Sequence, residues 1–127
     1  MSYSLPFHGE FASADASALT EANSRFTLYE MGLTTALTLA AGDYVVVTDI
    51  IVDYTGATTR TITLYDGADN VVDAGEKINE LTRIQNDHTE SQYVTPFTCQ
   101  KGTFPKVKTS GGGQVTVLIR GQIERAL

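Results

Sequence analysis

The segment that most constrains this chain is Tyr44 to Tyr54, YVVVTDIIVDY, in which nearly every side chain is β-branched or aromatic. Such side chains fit a pleated, half-buried surface and lose rotamer freedom in a helix. Read with strict alternation, Tyr44, Val46, Thr48, Ile50, Val52 and Tyr54 share one face, and Val45, Val47, Asp49, Ile51 and Asp53 share the other. The first face is almost wholly apolar. The second is apolar but interrupted by two aspartates. A strand wet on one side would not carry Val45, Val47 and Ile51 on that side. The segment is therefore expected either to be a central strand covered on both faces or to present its second face to another subunit.

Shorter strand signals surround it. Phe26-Thr-Leu-Tyr and Thr35-Ala-Leu-Thr-Leu precede it, the second ended by the turn Ala41-Gly42-Asp43. Arg60 to Asp66 alternates, with Ile62 and Leu64 expected inward and Thr61, Thr63 and Tyr65 outward. With Val71-Val72 it suggests a hairpin across Asp66-Gly-Ala-Asp-Asn. Residues 73–92 are ambiguous. Ile78, Leu81 and Ile84 recur every third residue and lean helical, and Asp73 and Glu76 have capping-box spacing, but Gly75 weakens a helix. The region reads as a long connection holding one strand or one helical turn. Tyr93 to Cys99 and Phe104 to Thr109 are two further strands. The last strand is clear: Val115, Val117, Ile119 and Ile123 face in, and Gln114, Thr116, Arg120, Gln122 and Glu124 face out, with Leu118 the exception.

About eight short strands punctuated by turns, with no regular alternation of long helices, predict an all-β domain. The expected architecture is an antiparallel β-sandwich of jelly-roll type spanning residues 26–127. Residues 1–25 differ in composition. They are rich in Ser and Ala, with isolated apolar residues at Leu5, Phe7, Phe11 and Leu19. They are expected to form an extended N-terminal arm that packs on a neighbour.

A chain of 127 residues buries roughly two thirds of its unfolded surface, enough for a core without disulfides or a structural metal. Its 42% hydrophobic and 19% charged composition is that of a globular domain rather than a disordered one. Cys99 is the sole cysteine, so an internal disulfide is impossible, and its apolar setting YVTPFTC predicts a small core residue. The lone thiol suits synthesis in a reducing cytoplasm. No apolar run reaches membrane-spanning length. The opening MSYSLPFHGEF lacks the basic start and apolar core of a secretory signal. The net charge is −6, and the nine Lys and Arg are scattered. Nucleic-acid binding is not expected, and the weak cluster Lys101, Lys106 and Lys108 reads as solvated.

No spacing of residues demands a catalytic chemistry. Asp66, Asp69, Asn70, Asp73 and Glu76 form the densest acidic cluster, but the glycine and terminal glutamate of a calcium loop are misplaced. The cluster reads as turn chemistry, and no metal or cofactor is expected. Ser110-Gly-Gly-Gly lacks the Lys and helix of a phosphate loop. His8 and His88, the two histidines, have no identifiable nucleophile beside them, and His88 reads as a solvated loop residue. Asp49 and Asp53 are roughly 13 Å apart along one strand, too far for a glycosidase pair. Asp49 on a largely apolar face must be paired or wet, with Arg60, Arg120 or Lys108 as possible partners. The chain is not expected to be an enzyme.

The order of segments resembles small β-sandwich proteins on the virions of tailed bacteriophages, including capsid decoration (cement) proteins. The resemblance is carried by Leu37-Thr-Leu-Ala-Ala-Gly-Asp-Tyr, Val47-Thr-Asp-Ile-Ile-Val, Thr61-Ile-Thr-Leu-Tyr-Asp-Gly, Tyr93-Val-Thr-Pro-Phe and Thr109-Ser-Gly-Gly-Gly-Gln-Val-Thr-Val-Leu-Ile-Arg-Gly. These are scaffold patterns, spread over Leu33 to Gly121. The resemblance implies a homotrimer made in the host cytoplasm and seated on the capsid surface, where it clamps the major capsid protein. On that reading Leu5, Phe7 and Phe11 are arm contacts, and Asp49 and Arg120 are polar interface residues. Removing residues 1–25 should then abolish particle binding and leave the fold intact. The competing expectation is a carbohydrate- or receptor-binding sandwich of a phage fibre, with a groove of exposed tyrosines among Tyr29, Tyr54, Tyr65 and Tyr93.

Overall fold

The computed structural model describes residues 2–13, 26–66, 77–109 and 115–126. These contain eight strands: β1 (Ser2–Ser13), β2 (Thr27–Glu30), β3 (Tyr44–Tyr54), β4 (Arg60–Tyr65), β5 (Lys77–Arg83), β6 (His88–Thr98), β7 (Lys106–Thr109) and β8 (Val115–Ala126). A five-stranded sheet of order β2-β1-β8-β3-β6 packs on a three-stranded sheet of order β5-β4-β7, and every pairing is antiparallel. No helix among the described residues is long and apolar enough to cross a membrane.

The pairings have jelly-roll logic. Folding a chain of eight strands into one long ribbon pairs first with last, second with seventh, third with sixth and fourth with fifth. Rolling that ribbon adds the contacts third-to-eighth and fourth-to-seventh. All of these but second-with-seventh occur here. The departure is β2, which pairs with β1 through Phe7↔Glu30 to Glu10↔Thr27. Its approach to β7 is a backbone bond just before both strands, from Phe26 N–H to the Pro105 carbonyl at 3.5 Å.

The core lies between the sheets. Phe7, Phe11, Val45, Val47, Ile50, Val52, Val117, Ile119 and Ile123 fill it from the large sheet, and Ile62, Leu64 and Val107 from the small one. Each such side chain contributes about 1.5–3 kcal/mol when removed from water. The inward set predicted for β8 and the inward pair Ile62 and Leu64 of β4 are where the sequence pattern put them.

Strict alternation fails in β3. On the β8 side the pairing shifts by one residue between Val47 and Asp49, so Thr48 is an extra, bulged residue there, and on the β6 side the register breaks at the same point, with residues 93–96 standing against Thr48. A bulge turns the following side chains to the opposite face. Before it the inward residues are Val45 and Val47; after it they are Ile50, Val52 and Tyr54. The puzzling second face therefore does not exist. Asp49, Ile51 and Asp53 lie outward, and Val45 and Val47 give no cause to seek a covering subunit. The same device explains the three-residue spacing that leaned helical. The β4–β5 register shifts between Leu64 and Tyr65, leaving Ile78 as the extra residue. Ile78 and Leu81 both pack on the core from a strand, while Ile84 is exposed.

Several other expectations are corrected. The arm at residues 1–25 is not an arm over its first half. Residues 2–13 form β1, hydrogen-bonded between β2 and β8 with an unbroken register from Ser2↔Ala126 to Ser13↔Val115. Isolated apolar residues looked too sparse for a strand, but Gly9 leaves room for Leu28 and Ile119 to fill its place on the inner face. Thr35 to Leu39 is not a strand. Its backbone touches β2 through the bridge Tyr29↔Ala36 and the Leu37 N–H to Leu28 carbonyl bond at 2.7 Å, and Leu37 and Leu39 tuck against the core. Thr63 and Tyr65, expected outward, are buried, as is Lys106 beside Tyr65. The acidic run beyond Asp66, the Val71-Val72 strand, residues 14–25 and Ser110 to Gly113 lie outside the described residues.

Candidate functional site

The exposed face of the five-stranded sheet gathers four charged or titratable side chains that the sequence singled out: Asp49, Asp53, His88 and Arg120. The Thr48 bulge turns Asp49 to this face, and the β3–β8 pairing sets Arg120 directly across from it. On the other side of Asp49, across the β3–β6 pairing, lies Gln92. Asp49, Ile51, Glu90, Ser91, Gln92 and Arg120 line a depression of about 410 Å³. The Thr48 hydroxyl holds the bulge in place, reaching the Asp49 carboxylate at 3.0 Å and the Arg120 backbone carbonyl at 3.1 Å. Arg60 and Lys108, the other two candidate partners for Asp49, belong to the small sheet.

A second group adjoins it. His88 opens β6 and sits across from Asp53 in register. Its Nδ1 contacts the Asp53 carboxylate, and its Nε2 lies 3.4 Å from Glu90 Oε1. Both partners hold the imidazole pKa above its ordinary value, the hydrogen bond that the ring gives to Asp53 first and the one to Glu90 second. All three side chains are about half exposed or more. A nucleophilic triad would also pair its histidine with a carboxylate at Nδ1, but it needs a hydroxyl or thiol at Nε2. Here Glu90 holds that position. Cys99 is no substitute: it is buried, and burial, followed by the negative charge of Asp66, pushes its thiol up to about 12. That leaves almost no thiolate near neutral pH. Among the described residues no set of three histidine, cysteine or acidic side chains is placed to hold a metal ion.

The remaining candidates scatter. Phe7 is 0% exposed and Phe11 6%, so both are core residues of this chain rather than contacts offered to a neighbour. Leu5 packs partly buried against the same core. The proposed tyrosine groove does not assemble. Tyr54 and Tyr65 are buried, and Tyr93 hydrogen-bonds Asn79 at 3.1 Å. Tyr29 lines a hollow, of about 210 Å³, with His8, Glu10, Leu33 and Thr34. Its ring stacks on that of His8, centroids 5.2 Å apart.

Sequence reasoning missed the His88 group and the His8–Tyr29 stack because each joins residues from different strands. The Thr48 bulge did leave a signal. In YVVVTDIIVDY the apolar parity changes from odd (Val45, Val47) to even (Ile50, Val52, Tyr54) at the polar doublet Thr48-Asp49.

Compared with protein-family models, the chain matches none, and no curated protein matches it in sequence.

Proposed function

We propose that this chain is a structural protein of a virus particle, a capsid decoration protein that docks as an oligomer through the exposed face of its five-stranded sheet. The observation that carries the reading is the juxtaposition of Asp49 and Arg120 on that face, beside the half-exposed Ile51 and Leu118. Opposite charges set side by side around modest apolar area are what a specific, register-fixing protein contact uses. The jelly-roll connectivity and the segment-order resemblance to phage decoration proteins support the setting. The major capsid protein is the partner this implies, and a homotrimer the assembly.

Two measurements test it. Native mass spectrometry should find an oligomer, with a trimer expected; a monomer at micromolar concentration would count against docking as an oligomer. Co-sedimentation with virus particles should be lost in the Asp49→Lys and Arg120→Glu variants. Retention of binding by both would rule out this face.

A second reading has one observation behind it. The hollow at His8, Tyr29 and Glu10 sets an aromatic face next to a carboxylate, a combination that suits stacking and hydrogen bonding to a sugar. Binding on a glycan array that disappears with Tyr29→Ala would favour a carbohydrate-binding module instead.

A further inference from the structure

The inward ladder of the small sheet ends in a rung of two positive charges. Along β4 and β5 the facing pairs run Leu64↔Asn79, Ile62↔Leu81 and Arg60↔Arg83. The first two rungs are apolar or hydrogen-bonded: Ile62 and Leu64 are buried in the core, and Asn79 reaches Tyr93. The third sets two guanidinium groups on neighbouring strands, a pairing that repels, and neither can lose its charge by deprotonation.

Arg83 is the more buried of the two, its side chain 8% exposed. Its Nη1 donates to the Thr82 carbonyl at 2.7 Å and lies 4.0 Å from the Asp87 carboxylate. Its Nε and Nη2 are buried and have no acceptor among the described residues, and the same holds for Nε of Arg60. Nε and Nη2 form one edge of the planar guanidinium, the edge whose parallel N–H bonds match two oxygens of a carboxylate or phosphate. The chain shows the same edge occupied elsewhere. Arg125 directs Nε and Nη2 at the Asp43 carboxylate, at 3.2 and 3.0 Å from Oδ2.

From this we infer that Arg60 and Arg83 form a binding site for a small oxyanion, a group with two coplanar acceptor oxygens that takes the free edge of Arg83 and the Nε of Arg60. A bound anion turns the repulsion between the arginines into shared attraction and satisfies buried donors that are otherwise costly. Asp87 offers one carboxylate against two cations and lies beside the other edge of Arg83. The burial of Arg83 favours a small anion over a macromolecular surface, with entry from the side of the half-exposed Arg60. Tetrahedral phosphate or sulfate and planar carboxylate share this chemistry.

The test titrates the full chain with inorganic phosphate, sulfate or acetate against chloride at matched ionic strength, at low millimolar concentrations where general salt effects are small. The expected result is a saturable rise in melting temperature of roughly 3–6 °C at ten times the dissociation constant. It should be absent in Arg83→Met and weakened in Arg60→Gln. Response to phosphate and sulfate alone identifies a tetrahedral ligand, and response to acetate a carboxylate. The Arg83 Nε–H resonance of the unmodified protein should shift along the same titration, which keeps the test decisive if Arg83→Met does not fold. No saturable response to any of the three anions, or a resonance that stays in place, overturns the site.

Discussion

Gly121 lies across from Val47 at the point where β3 bulges, and a side chain there would collide with the carbonyl oxygen of Val46. The Phe7 ring, across from Gly121 on the other flank, fills the space that such a side chain would need, 3.2 Å from where its Cβ would sit. One glycine thus lets β1, β8 and the kinked β3 approach together. Gly121→Ala should destabilise the fold by about 2–3 kcal/mol, because the obstacle is backbone and cannot rotate away. Gly121→Val should cost more. Urea unfolding of the two variants checks both values, and a neutral Gly121→Ala would mean that β3 relaxes easily at Thr48.

Phe7 belongs to the core, so deletion of residues 1–25 should unfold the domain instead of freeing it from a partner. The strand removed is flanked on both sides in its sheet. Phe7→Ala alone should cost about 3–5 kcal/mol. Circular dichroism of the truncated chain decides the matter: a native β spectrum with cooperative melting would restore the arm.

Asp43 is 2% exposed and ties the turn before β3 to the end of β8. It takes three contacts from Arg125 at 3.0–3.3 Å and one from the Ala40 N–H at 2.9 Å. The Arg125 hydrogen bond is the main reason that its carboxyl stays below the usual range, against the opposing effect of burial. A depressed carboxyl pKa contributes stability that is present above the unfolded value, about 3.9, and is lost as pH falls through the folded one. Asp43→Asn should cost about 1.5–3 kcal/mol at pH 7, less than for a fully buried pair because Arg125 is partly exposed. It should also flatten the acid limb of the stability curve, measured by denaturant unfolding from pH 2 to 6.

His88 should titrate above about 6.5, the ordinary histidine value, since Asp53 and Glu90 both favour its charged form. For a raised histidine the added stability is present below the unfolded pKa and fades as pH rises through the folded one. NMR titration of the His88 ring should show the raised midpoint. Asp53→Asn should bring it down toward the ordinary value, and Glu90→Gln should do so less. An unchanged midpoint in Asp53→Asn would mean that the contact does not persist in solution.

Much of the architecture was legible from local pattern. Val115, Val117, Ile119 and Ile123 on β8, with Ile62 and Leu64 on β4, announce strands with one face in a core, because side-chain direction alternates every residue whatever the partner. The turn at Ala41-Gly42-Asp43 and the burial of Cys99 were readable for similar reasons. Asp49 was marked as a charge that must be paired or wet, and Arg120 was one of three cations that could answer it.

Which cation stands there was settled by the β3–β8 pairing, a fact of register between distant segments. The same is true of β1, whose pattern of Leu5, Phe7 and Phe11 becomes a strand only when β8 supplies its ladder and Leu28 fills the gap at Gly9. The bulges at Thr48 and Ile78 belong to this class too. Each reverses the parity beyond it, and at Thr48 the close approach of the strands depends on Gly121, far away in sequence. Alternation is a property of a single strand, so the sequence alone determined that two antiparallel layers would form and marked β3, β4 and β8 among their strands. Register is a property of two strands at once, fixed by hydrogen bonds and packing between them, so the tertiary structure alone decided which side chains meet.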